Sequence, residues 1–298
     1  MKLTSDWHIH SRNSCDSACM TVATLIERAG QLGIEDYGLT DHLHTPFNMP
    51  DLRASRGEFL ASKPGPRFHF GVEVSCVSQW ELDQIATGKH KDPVYGLRQG
   101  GPAGGPLAIG LTPQDIDELG IEYVVAGAHW QMYCPWDREP LIRDYHRQNM
   151  FLACHPLVDI VAHPWWWHQH WPTGENGGWK QVPEGVPPGE PWMADFSRIP
   201  SSMHDEFISA ARQHGAAVEV NLQAMLFCPH YSELFQRQYL EYLARIQQAG
   251  VPLGIGSDCH DGQYNIDFAR AAATMESAGL RLDRLWRLAA RTGHGPRL

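Results

Sequence analysis

The chain has 298 residues, 43% of them hydrophobic and 19% charged, the composition of a globular protein with an ample apolar core. Its formal charge is −10, from 34 acidic and 24 basic residues. No basic stripe tracks a phosphate backbone and no apolar run approaches the ~20 residues that cross a bilayer, so nucleic-acid and membrane partners are not expected.

The opening "MKLTSDWHIH" lacks the apolar stretch of a secretory signal. Seven cysteines, odd in number and without a CxxC pair, fit reduced thiols, and the expected location is the cytoplasm. Histidine, with 17 copies, is the enriched residue, and metal binding or proton chemistry is an ordinary reason for that.

In chain order, "LTSDWHIH" (3–10) predicts a strand and "TVATLIERAGQLG" (21–33) a helix with Val22, Leu25, Ile26, Ala29 and Leu32 on one face. Strands follow over 35–42, 68–76, 121–130 and 158–165, with a helix between the last two at "LIRDYHRQNMFLA". A helix over 203–215 stops at Gly215, a strand covers 216–222, and a helix covers 232–250. The last strand is "VPLGIGSDCH" (251–260), and two short helices close the chain. Strands interleaved with helices predict parallel pairing through crossover helices, here as one α/β domain over residues 1–298. Two long insertions interrupt it, at about 78–118 and 164–200; the second holds six of the eleven tryptophans.

The strand ends carry the chemistry. His8 and His10 sit two apart at the end of the first strand and therefore face the same side, with Asp16 just beyond. His42 follows the second strand, Glu73 lies in the third, and His129 and His163 end the fourth and fifth. Asp258 and His260 close the seventh, again two apart. The sixth offers Glu219 and Asn221, which are weaker candidates. Six histidines, two aspartates and one glutamate thus fall at the carboxyl ends of strands, the rim where parallel barrels build active sites. Nine nitrogen and oxygen ligands exceed the four of one zinc and suit two or three divalent ions, with Glu73 as a bridge. A thiolate-free set favours Zn, Fe, Mn or Co. Two members have simpler alternatives: Asp16 as a cap for the 21–33 helix, and His163 as a turn residue before Pro164. His44 is left outside the set because Thr45-Pro46 marks the start of a turn.

Together, "DWHIHSRNSCD", "GLTDH", "GVEVS", "GAHW", "VAHP" and "GIGSDCH" resemble the polymerase and histidinol phosphatase (PHP) superfamily, in its stand-alone histidinol-phosphatase-like branch. The resemblance runs from residue 6 to about 260 and implies a distorted seven-stranded (β/α) barrel, TIM-barrel-like. It also implies three metals: one on His8, His10, Glu73 and Asp258; one on Glu73, His129 and His163; one on Asp16, His42 and His260. The family often has histidine where Asp16 stands, although aspartate also occurs there.

The expected activity is hydrolysis of a small phosphate monoester by a metal-bridging hydroxide, with Glu73, Asp258 and His260 as the catalytic residues. Arg12 is the candidate phosphate clamp, and Trp165, heading the "WWWHQH" run, the candidate pocket wall. The alternatives are an amidohydrolase-like or phosphodiester hydrolase on the same scaffold, and a non-catalytic metal-binding module.

Overall fold

A computed structural model describes residues 1–16, 18–135, 137–167 and 192–289, together with the backbone of 170–173 and 178–181. The seven strands that build the barrel are β1 (Ser5–Asp6), β2 (Asp36–Leu39), β3 (Phe68–Ser75), β4 (Tyr123–Gly127), β5 (Ile160–Ala162), β6 (Ala217–Asn221) and β7 (Leu253–Gly256). All pair in parallel, each with its neighbours in chain order. Closure runs from first to last: Trp7 N–H donates to Ile255 O at 2.8 Å, Asp258 N–H to His8 O at 2.7 Å, and His10 N–H to Cys259 O at 3.1 Å. The fold is the distorted seven-stranded barrel that the strand pattern predicts.

Eight helices accompany the strands among the described residues: α1 (Val22–Leu32), α2 (Met49–Ala61), α3 (Gln79–Ala86), α4 (Pro113–Leu119), α5 (Arg138–Cys154), α6 (Ser201–His214), α7 (Glu233–Gln248) and α8 (Phe268–Ser277). None is long and apolar enough to cross a membrane. The predicted second C-terminal helix is a single 3₁₀ turn at Leu282–Arg284. The cap of α1 is Thr21, whose side chain accepts from Thr24 N–H at 3.1 Å; that frees Asp16 from the capping role considered for it. The first insertion is more ordered than a loop. It holds α3, α4 and an antiparallel pairing of Val77–Ser78 with Leu107–Ala108. In the second, His170–Thr173 pairs with Gly178–Gln181. The side chains of His168 and His170, in the "WWWHQH" run, lie outside the described residues.

Two apolar bodies hold the barrel. The larger packs the outer faces of the strands against the helices. The smaller fills the interior below the rim with Trp7, Tyr123, Val125, Ile160, Ala162 and Ala217. Trp7 meets Tyr123 edge-on at 5.4 Å between ring centres, and the Tyr123 hydroxyl donates to Trp7 O at 3.0 Å. This floor needs glycine opposite the tyrosine: a Cβ on Gly71 would stand 2.7 Å from the Tyr123 ring and 2.9 Å from Thr40 Cγ2. Gly71→Ala should therefore overpack the floor and cost about 1–3 kcal/mol. A lower urea midpoint at unchanged slope is the expected readout.

Candidate metal centre

Above the floor, extended backbone runs on past the strand ends. The segment Trp7–His10 continues β1 beside Ser257–Cys259, with Ile9 bridged to Cys259. Past Trp7, which fills the floor, alternation from His8 onward sends Ile9 into the apolar shell and His8 and His10 inward. The strand-end residues meet there. His8 Nε2 lies 2.9 Å from Glu73 Oε2 and 3.5 Å from Asp258 Oδ1; His10 Nε2 lies 3.3 Å from each of those oxygens. The other Glu73 oxygen, Oε1, is 3.1 Å from His129 Nε2 and 3.0 Å from His163 Nε2. His42 stands between groups, with Nδ1 2.9 Å from Glu73 Oε2 and Nε2 3.0 Å from Asp16 Oδ2, an oxygen that also touches His260 Nε2. All nine expected ligands thus come together.

The donor set passes a test of fit for divalent cations. Buried Glu73 Oε2, His42 Nδ1 and His129 Nε2 have no hydrogen-bond partner, although each faces other ligand atoms of the set. Leaving such atoms unpaired away from water is costly, and cations shared among them remove that cost. Four groups of side chains place their ligand atoms within 4.8 Å of one another: His8, His10 and Asp258; His8, Glu73 and His163; His10, Asp16, His42 and His260; and His42, His44 and His129. Burial works to raise the pKa of Glu73, but the neighbouring His8, His42 and His129 outweigh it and hold the carboxyl well below its ordinary range.

Sequence reasoning undervalued the sixth strand. Glu219, 1% exposed, takes His8 Nδ1 at 2.7 Å on one oxygen and accepts from His163 N–H at 2.6 Å on the other. Asn221 Nδ2 donates to Glu219 Oε2 and to Asp258 Oδ2, each at 3.1 Å. These two residues orient ligands from behind, the usual role of carboxylates outside a metal's own ligand set. The signal was present in their alternation, which puts Glu219 and Asn221 on one inward face. His44, left out at the sequence level, is buried with its ring 4.2 Å from that of His42, and its Nδ1 shares Ser75 Oγ with His129 Nδ1. Gly127 makes room for the cluster, because a Cβ there would stand 2.5 Å from His163 Cε1.

The two expected substrate residues have partners of their own. Arg12 is exposed and its Nε donates to Glu58 of α2 at 3.1 Å. Trp165 is buried in an aromatic cluster with Trp192 and His204, at 5.6 and 5.8 Å between ring centres. Its neighbour Trp166 is the one beside the ligands, 5.3 Å from the His163 ring and 5.9 Å from that of His129.

No protein-family model matches the chain, and no curated protein matches its sequence. Solved structures do share its fold. A histidinol phosphate phosphatase from Lactococcus lactis, crystallised with zinc, L-histidinol and phosphate, is 16% identical, with 93% of this chain and 94% of that one aligned at a TM-score of 0.58. A histidinol phosphatase homologue from Listeria monocytogenes is 13% identical, with 89% and 99% aligned at 0.59. The fold is that of the histidinol phosphatases, as the motifs implied.

If Glu219 fixes the tautomer that turns His8 Nε2 toward the cluster, Glu219→Gln should weaken metal retention about 10–100-fold with the fold intact. Competition with a chelator, followed by metal analysis and circular dichroism, measures this. Wild-type retention would remove Glu219 from that role.

Proposed function

We propose that the protein is a metal-dependent hydrolase and, more specifically, a phosphatase acting on a small phosphate monoester. One observation carries the reading: the two oxygens of fully buried Glu73 face two different sets of imidazoles, His8, His10 and His42 on one side and His129 and His163 on the other. A carboxylate so placed suits a bridge between cations. The shared fold with a phosphatase crystallised with zinc and phosphate supports the same reading.

His8, His10, Glu73 and Asp258 would hold one ion, Glu73, His129 and His163 a second, and Asp16, His42 and His260 a third. Bound divalent cations supply charge for the phosphoryl oxygens and bring the pKa of a water toward neutrality. The protein's own groups hold the geometry. Glu219 fixes His8, Ser75 fixes His129, and Asn221 fixes Asp258 Oδ2. Proton handling falls to Asp258. His260 turns Nε2 toward the third group of ligands and has Nδ1 2.8 Å from Asp258 O, so both ring nitrogens are engaged and it serves as a ligand.

The test is phosphate release from a panel of small monoesters by the metal-loaded protein, with and without chelator. Turnover should vanish with chelator, and Glu73→Gln should lose metal and activity together. Retention of both by that variant removes the bridging role. Turnover of diesters or amides with none on monoesters assigns the same centre to another hydrolase reaction.

A further inference from the structure

The first insertion delivers a cation to the edge of the cluster and gives it no hydrogen-bond partner. Arg98 Nε, Nη1 and Nη2 are all shut off from solvent and none has a hydrogen-bond partner. The guanidinium lies over the face of the Trp130 ring, a cation–π contact. Trp130 follows His129, and its ring is 5.6 Å from the His129 ring and 5.3 Å from the His44 ring. The guanidinium is therefore one aromatic layer from the ligand cluster.

The backbone that carries it is firmly braced. Leu97 N–H donates to Glu81 Oε1, and the Tyr133 hydroxyl reaches Leu97 O at 2.8 Å and Glu81 Oε2 at 3.2 Å. Thr45 Oγ1 donates to Pro93 O at 3.3 Å, and the Tyr95 hydroxyl to Cys15 O at 3.1 Å. Glu81, the nearest balancing charge, is occupied by Leu97 and Tyr133. The loop is thus fixed while the side chain at its end keeps its hydrogen-bonding capacity unused. Glu81 offsets the charge through space, but a buried guanidinium without a single hydrogen bond still has its desolvation largely uncompensated. Five donors in a planar fork match the oxygens of a phosphoryl group.

We propose that Arg98 is the anion clamp of this centre: its side chain turns off the face of Trp130 and takes the phosphoryl oxygens of a substrate held at the cluster. The assignment rests on the phosphatase reading and adds the residue that recognises the phosphoryl group. Paired, charge-assisted bonds to a doubly negative group outweigh one cation–π contact, so anion binding drives the turn.

The test uses metal-loaded wild type, Arg98→Met and Arg98→Lys, titrated calorimetrically with inorganic phosphate, with metal content and melting temperature read on the same samples. Arg98→Met should keep its metals and its fold and bind phosphate about tenfold or more weakly. Arg98→Lys, with a point charge in place of the fork, should fall between. Two results overturn the clamp: phosphate affinity unchanged in Arg98→Met, or no phosphate binding by wild type. Monoester turnover by wild type is scored separately. Turnover with phosphate affinity independent of Arg98 sinks the clamp and leaves the reaction; Arg98-dependent phosphate binding without turnover sinks the reaction and leaves the clamp.

Discussion

Burying the carboxylate of Glu73 among five imidazoles is the constraint around which this protein is built. Glu73 is wholly inaccessible, and His8, His10, His42, His129 and His163 all lie within 3.3 Å of one or the other of its oxygens. Hydrogen bonds alone leave this set incomplete: Glu73 Oε2, His42 Nδ1 and His129 Nε2 are buried without a hydrogen-bond partner. Shared cations would meet that need, and the proposed centre would then organise the upper barrel as well as react.

The backbone bears part of the cost. His163, Trp165 and Asp258 have φ of 27°, 73° and 56°, in or near the left-handed region that side chains disfavour by about 1–3 kcal/mol each. His163 and Asp258 are ligands of the set, and both are tied down from the sixth strand. His163 N–H is held by Glu219, and Asp258 Oδ2 by Asn221. The apolar floor of Trp7, Tyr123 and Ile160 is built by the opposite rule, tight packing with few polar atoms. Stability is concentrated below and strain above, within the same strands.

How much of this could be read from sequence follows from the same division. Strand ends were readable because an apolar run that stops at a histidine or carboxylate marks both the strand and its inward-facing end, as in "VVAGAH" and "GIGSD". Glu219 and Asn221 were undervalued because a carboxylate that touches a ligand's far nitrogen looks the same in one dimension as a solvated one. Trp165 and Trp166 could not be told apart, since the positive φ at Trp165 breaks the alternation that decides which ring faces His163. Arg98 was invisible. It lies in an insertion without periodicity, and its meaning comes from what is missing around it, which no spacing encodes.

Charge balance decides what such a centre attracts. Asp16, Glu73 and Asp258 place three carboxylates in the cluster, and buried Glu219 and Asp41 add two more behind His8 and His10. Two divalent ions would leave those five charges unmatched; a third would make the site net positive and able to draw a dianion into a protein whose overall charge is −10. The third group of ligands, His10, Asp16, His42 and His260, therefore bears on substrate charge as much as on geometry. His260 is also the member most open to solvent, so the ion that tips the balance would sit where an anion first arrives. On the side of His129 and His44, the Arg98 guanidinium over Trp130 adds charge of the same sign by a route that does not depend on metal occupancy.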